Sequence, residues 1–370
     1  MSESPLITGP QATVPSRKII RSWLLACSQR NTAHALALVA LDLSLFIAAI
    51  AATVLVQNAA AKVMIGAVAG LVIGRLFILG HDACHQSLTS HRWLNRLIGR
   101  VVFLPSLTPY SLWDVGHNVV HHGHTNLKGV DLVWAPRSVE EYRALSPVAQ
   151  KLERIYRSGW APWLYYLVEI WWRRMYFPNA REMPTRRAIF FRDGALVSVF
   201  ALCWISALIG AAMITRQSAW LTVIDGFAVP FLVWNGMIGF VVYVHHTHPA
   251  IAWYQDKAEW SQAQPFVTTT VHTTFRRIAG LDIGALLHHI MEHTAHHVDM
   301  GIPLYRLRRA QQILEAKLPG CIVVQPFSWR GYFETARCCK LYDFRCKQWT
   351  DFLGIAVNAT ATPLRSPTGP

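Results

Sequence analysis

Charged side chains are scarce in this chain. Asp, Glu, Lys and Arg make up 15% of its 370 residues, well below the roughly 25% of soluble domains. Apolar residues fill 52% of positions and mean hydropathy is +0.25, so an ordinary water-soluble enzyme is excluded. Acids are fewer than bases, 21 against 35, which leaves a formal charge of +14. No nucleic-acid-binding motif accompanies that charge, so nucleic acid is not an expected partner. The seven cysteines (Cys27, Cys84, Cys203, Cys321, Cys338, Cys339, Cys346) include no Cys-x-x-Cys, which argues against an iron–sulfur ligand set or a secreted disulfide scaffold. Reduced thiols fit a cytoplasmic face. No basic run leads straight into a short apolar core with a cleavage site, so no signal peptide is expected.

What is present in quantity is apolar sequence of membrane-spanning length. Ala35 to Gln57 and Val63 to Gly80 form one pair of runs, Gly194 to Thr215 and Trp220 to Val244 another. Each approaches the roughly 20 residues a helix needs to cross the hydrocarbon core. Two hairpins return the chain each time to the side it left. Of 35 Lys and Arg, only Lys62 and Arg216 fall in the two short far-side turns. The positive-inside rule places the N-terminus and the segments 81–193 and 245–370 in the cytoplasm, and attraction to anionic headgroups accounts for much of the remaining charge.

Histidine is the second abundance: 17 in all, and only His34 lies outside the span His81–His297. They fall in spaced sets: His81-Asp-Ala-Cys-His85, His117-Asn-Val-Val-His121-His122, and His293-Thr-Ala-His296-His297, with His245, His246 and His248 between the last two. Residues three or four apart share a helix face, so His81 with His85, and His117 with His121, can each grip a metal from one helix. Adjacent imidazoles diverge by about 100° on a helix, so His121 and His122, or His296 and His297, can serve different ions. Eight imidazoles from the three sets exceed what one ion takes from protein. Two ions are expected, and imidazole suits iron, zinc, copper or nickel.

A lone histidine is more often a core or surface residue than a ligand, and His34, His91 and His124 are read that way. His272, His288 and His289 are open, with support of the ligands as one role. A zinc hydrolase wants His-Glu-x-x-His, whereas His81-Asp-Ala-Cys-His85 keeps the spacing but has Asp in place of Glu. A bis-histidine haem leaves most of these histidines unused, and a transporter places ligands at the midplane of its spans. What remains is a cytoplasm-facing dimetal site beside the bilayer. Such a site suits oxidation of a lipid chain, because an unactivated methylene yields hydrogen only to an oxygen-activating metal. A non-catalytic metal-binding membrane protein is the alternative from another class.

Gly80-His-Asp-Ala-Cys-His85, His121-His-Gly-His-Thr-Asn126, Val244-His-His-Thr-His-Pro249 and His293-Thr-Ala-His-His297 closely resemble the histidine boxes of the integral-membrane fatty acid desaturases, most like the delta-12 (omega-6) acyl-lipid branch. The resemblance covers about residues 75 to 310. It implies a non-haem di-iron enzyme that uses O2 and two supplied electrons to place a cis double bond in a fatty acyl chain, lipid-linked in this branch. By box position the iron ligands would be His81, His85, His117, His121, His122, His293, His296 and His297, with His246 at the end of the fourth span and His245 as its competitor. His245, His248, His288 and His289 are the additional or supporting candidates. Many desaturases have two residues where this chain has three between His117 and His121, and related lipid or carotenoid hydroxylases and ketolases share the boxes. No His-Pro-Gly-Gly haem motif is present, so the resemblance implies a separate electron donor, ferredoxin with its reductase in bacteria. Arg306, Arg308 and Arg309 are candidates to dock an acidic partner or to face anionic lipid.

The expected architecture is therefore an all-α integral membrane protein of the bacterial inner membrane, with four transmembrane helices in two hairpins and a cytoplasmic helical cap holding the dimetal site. Residues 1–34 form a tail with an interfacial segment at Ser22 to Ser28, 35–310 the membrane domain, and 311–370 a cytoplasmic segment whose last twenty residues read as disordered. Leu97 to Tyr110, broken by Pro105 and Pro109, is too short to cross and reads as re-entrant or interfacial. Ile283 to His297 and Arg306 to Lys317 read as amphipathic helices, and Trp160, Trp163, Tyr165, Tyr166, Trp171, Trp172 and Tyr176 as an interfacial belt. Asp42 is read as pairing with a neighbouring helix, and Arg75 as snorkelling to the membrane surface.

Overall fold

The computed structural model describes residues 14–178, 187–277 and 280–357. The expected tail with Pro5 and Pro10, and the chain after 357, lie outside the described residues. Four helices are long and apolar enough to cross a membrane: Thr32–Leu55, Ala59–Cys84, Ala188–Ile214 and Ala219–His246. Each begins before the expected run, while the first and third end short of it, at Leu55 and Ile214; at the first two starts polar caps rather than hydropathy set the end. The Asn31 side chain accepts from the His34 amide and Asn58 from the Ala61 amide, each satisfying a donor that the first turn leaves open.

The second span is the axis of the molecule. From Val72 to Cys84 all but one of its residues are buried, and it packs on the first and fourth spans. Small residues allow that approach. A Cβ on Gly66 would stand 2.3 Å from the Asp225 carbonyl oxygen, and one on Gly70 would stand 2.6 Å from that of Pro230. The first and third spans instead present Leu41, Ile47, Leu202 and Met213 outward. At the end far from the histidines the two hairpin turns are clasped: Lys62 Nζ donates to Gln217, whose amide donates to the Val54 carbonyl at 2.5 Å.

Around the near ends of the spans sits a cap of short helices with two small sheets. Strand Val271–Thr274 pairs in parallel with Val323–Pro326, and Leu341–Asp343 pairs antiparallel with Gln348–Thr350. Helix Arg92–Phe103 lies beside the second span with Asn95, Ile98, Gly99, Val102 and Phe103 inward and Trp93, Leu97 and Val101 outward. It overlaps the stretch Leu97 to Tyr110 read as re-entrant or interfacial, and it ends at Phe103, before Pro105 and Pro109.

Several expectations are corrected. The helix expected over Ile283 to His297 is broken into Ile283–Leu286 and His293–Val298, because His288 and His289 take φ of +48° and +57°. Arg75 is held in place by partners: Nε and a terminal nitrogen donate to Asp42 Oδ1 at 2.9 and 2.8 Å, and the other terminal nitrogen donates to the Leu286 carbonyl of the cap. The aromatic belt splits, with Trp160, Trp163 and Trp172 exposed while Tyr165, Tyr166 and Trp171 are core. Their polar ends explain the difference, since the Tyr165 hydroxyl donates to the Leu132 carbonyl and Trp171 Nε1 to that of Leu107. Asp351 to Val357, inside the stretch read as disordered, folds back so that Asp351 N donates to the Ile355 carbonyl.

Candidate metal centre

The last turn of the second span carries His81, and His85 caps it, so the pair rises along one face. The next set follows Pro109 on a helix that changes pitch. Tyr110–Asp114 is α-helical, but Val115–His121 is a π-helix, in which the His122 amide donates to the His117 carbonyl five residues back at 2.9 Å. His117 and His122 therefore share a face, and the expected pairing of His117 with His121 does not form. The third set, His293–Val298, is a short buried helix. His246 closes the fourth span.

These elements bring nine imidazoles into two groups. His81, His85, His117, His122 and His296 form the first, and His121, His246, His293 and His297 the second, with the facing nitrogens of each group within 4.8 Å of one another. Each consecutive pair is divided, His121 from His122 and His296 from His297, as divergent neighbours on a helix must be. The second group is fully buried, whereas His85 and His117 leave an edge of the first partly exposed.

The geometry suits cations. His122 Nε2 lies 3.0 Å from both His117 Nε2 and His296 Nε2, and His293 Nε2 lies 2.9 Å from His246 Nε2 and 3.1 Å from His297 Nε2. An imidazole nitrogen offers either one N–H or one lone pair, so it cannot satisfy two such neighbours. His81 Nε2 and both nitrogens of His85 are buried without any partner. A metal ion in each group satisfies these nitrogens together, and an all-imidazole donor set fits a first-row transition metal. Burial, reinforced by neighbouring histidines, holds His85, His117, His122, His293, His296 and His297 well below the ordinary imidazole pKa. They are neutral at neutral pH, as metal ligands require.

Partners behind the histidines fix their rings. His121 Nδ1 donates to Asp131 Oδ1 at 3.0 Å, which aims Nε2 into the second group. Asp131 is itself held by the amides of Asn126 and Val133. His81 Nδ1 lies 3.3 Å from Asp82 Oδ1, and Asp82 Oδ2 accepts from the Leu304 amide at 2.6 Å. The Arg17 guanidinium donates to the carbonyls of His297 and Val298, so the N-terminal helix Arg17–Trp23 straps the third set. None of Asp131, Asp82 and Arg17 was singled out from the sequence as part of the site. An acid beside a histidine set in an acid-poor chain was the available signal for Asp82, but Asp131 is ten residues from His121.

The remaining histidines stand apart. His245 stacks on His293 at 3.9 Å between ring centres but belongs to neither group. His288 Nε2 faces Asp42 Oδ2 at 2.6 Å, His289 Nδ1 faces Glu292 at 3.1 Å, and His272 Nδ1 faces Glu315 at 2.5 Å. His248 faces Gln325 at 3.3 Å. His34 stacks on Tyr305 and His124 on Trp260.

A family model for fatty acid desaturases matches residues 58–326. The sn-1 oleoyl-lipid 12-desaturase of Synechocystis sp. is 31% identical over 274 residues, covering 74% of each chain. The sn-1 acyl-lipid omega-3 desaturase (ferredoxin) of Nostoc sp. is 30% identical over 66% of this chain and 65% of its own length. The chloroplastic omega-6 fatty acid desaturase of Spinacia oleracea is 28% identical over 74% of this chain and 58% of its own.

Proposed function

Because this chain belongs to the fatty acid desaturase family, we propose that its two histidine groups hold two irons that support O2-dependent desaturation of a lipid-linked acyl chain, of delta-12/omega-6 type. The observation that carries the reading is the convergence of nine imidazoles into a group of five and a group of four beside four membrane spans. Bound there, iron would supply the O2 activation that removal of hydrogen from an unactivated methylene pair requires. The overall balance is a –CH2–CH2– pair, O2, two electrons and two protons giving –CH=CH– and two waters.

The protein's own part is to prepare and shelter the site. Desolvation keeps the imidazoles neutral. Asp131 and Asp82 hold ring orientation, and partners of this kind tune ligand basicity as well. The buried second group and its apolar surroundings keep water from the reacting centre. The relatives' names support an acyl-lipid substrate, and that of the Nostoc protein supports ferredoxin as the donor. The Lys and Arg distribution supports placing the histidine end in the bacterial cytoplasm, in the inner membrane.

The experiment is mass spectrometry of total fatty acids, with double bonds derivatised, from a bacterial host expressing the protein or its His297→Ala variant along with a ferredoxin system. New dienes with the intact protein alone would support the reading and fix the position. Oxygenated chains would transfer the assignment to a hydroxylase or ketolase. Identical profiles from folded, iron-loaded protein would remove acyl chains as the substrate.

A further inference from the structure

The histidine sets are not all held in the same way. His121 and His81 each have a carboxylate behind the ring, from Asp131 and Asp82. The helix His293–Val298 carries three grouped histidines, and among the described residues none of the three has an acid behind it. Nδ1 of His293 and Nδ1 of His296 are buried without a partner, and His297 Nδ1 meets the Thr125 hydroxyl at 3.3 Å. That hydroxyl already donates to the His121 carbonyl at 2.9 Å, so it accepts from His297 and leaves the His297 Nε2 lone pair to the second group. One neutral contact of that length orients a ring weakly. The aim of His297 therefore depends on its backbone.

A helix of six residues does not hold itself. Isolated helices shorter than about 12–15 residues are marginal in water, and the last carbonyls of any helix lack partners within it. Gln311 and Thr270 hold the middle, one accepting from the Ala295 amide at 2.9 Å and the other donating to the Thr294 hydroxyl at 3.0 Å. The C-terminal end is held from the N-terminal helix. Arg17 Nε donates to the Val298 carbonyl at 3.0 Å and a terminal nitrogen donates to that of His297 at 2.8 Å, and a cation is favourable at a helix C-terminus. The guanidinium also lies 5.3 Å from the ring centre of Phe266, and Arg21 holds the next residue, Asp299, at 2.9 Å. Arg17 lies outside residues 58–326, the part of the chain that the desaturase family model matches.

We propose that Arg17 is a positioning residue of the metal centre: by binding the His297 and Val298 carbonyls it fixes the end of the third histidine set, and so sets how tightly the second group holds its ion. The proposal rests on the reading that the two groups hold metal ions. The second group is the sensitive one. Two of its four histidines, His293 and His297, ride on this helix, whereas His296 is the only one of the five in the first group that does. Without Arg17 the helix loses its C-terminal partners, and His297, nearest that end, is displaced first.

The test titrates cobalt(II) into metal-free, full-length protein in detergent, read by the cobalt d–d absorption and by competition with a chelator of known affinity. Arg17→Ala should weaken one of the two ions by roughly 10-fold or more, as loss of a partner behind a ligand does, and leave the other nearly unchanged. Arg17→Lys keeps the cation but can reach only one carbonyl, and it should fall between Arg17→Ala and the unaltered protein. Lys18→Ala, at the exposed neighbouring position, should titrate like the unaltered protein. An unchanged titration of Arg17→Ala would overturn the proposal, and so would equal weakening of both ions, which marks a general loss of the cap. If Arg17→Ala does not fold, Arg17→Lys decides on the same two criteria. Unaltered protein that takes up no cobalt would overturn the metal reading and this proposal together. Selective loss of one ion from Arg17→Ala, in a protein that forms no diene, would support the role of Arg17 and count against the desaturase reading, so the two fail separately.

Discussion

His122 Nε2 lies 3.0 Å from His117 Nε2, and the two residues are joined through the backbone by a five-residue hydrogen bond of 2.9 Å. The π-helix is what brings them into one group. In an α-helix position 121 would take the place of 122, and His121 would be drawn away from Asp131.

The first prediction follows from that pairing. His117→Ala and His122→Ala each deplete the same ion, so the double variant should lose no more iron than either single variant. His117→Ala with His121→Ala removes ligands from both groups and should lose both. Metal-to-protein ratios by plasma mass spectrometry decide this; a His117/His121 double variant that keeps one iron would mean that the two share an ion.

Asp131 sets the orientation of His121 from behind, and loss of such a partner typically lowers metal affinity by roughly 10- to 100-fold. Asp131→Asn should therefore load iron with affinity reduced by about that factor while the four spans remain folded. Competition with a chelator of known affinity reads the change, and an unaltered competition curve would show that the carboxylate does not tune the site.

Asp42 is wholly buried, with Arg75 on one oxygen and His288 on the other. Removing one member of a buried pair costs about 3–5 kcal/mol because the other charge is left alone. Asp42→Leu should lower stability by about 3 kcal/mol, nearer the low end because Arg75 is partly exposed. Asp42→Leu with Arg75→Leu should recover much of that. Denaturation in detergent measures both, and additive losses would show that the pair is not coupled.

The close approach of the second and fourth spans predicts a contrast between glycines. Gly70→Val would drive a side chain into the Pro230 carbonyl and Val233, an overpacking cost of about 3 kcal/mol or more. Gly194→Ala, with nothing within 4 Å of the new methyl, should be neutral or stabilising by about 0.5–1 kcal/mol. Thermal melts followed by size-exclusion fluorescence compare them, and equal melting temperatures would remove the packing argument.

The sequence by itself determined the membrane class, the number of spans and the histidine sets that mark the centre. Each of these is written in local order: apolar runs of spanning length, and imidazoles at spacings that one helix face reads. The division of neighbours such as His296 and His297 followed from the same local geometry.

Tertiary structure decided what depends on partners far along the chain. His117 pairs with His122 because the helix widens locally, and no propensity in Asn118, Val119 and Val120 announces that pitch. His288 stands in a left-handed turn facing Asp42, 246 positions away, which ended a helix that hydrophobic periodicity alone would continue. His246 rather than His245 enters the second group because the rotation of the fourth span is set by its packing against Gly66 and Gly70. The placement of helix Trp329–Cys338 likewise rests on aromatic contacts of Trp329 and Tyr332 with Phe240. Local pattern fixes which residues can share a face; only the packed chain fixes which faces meet.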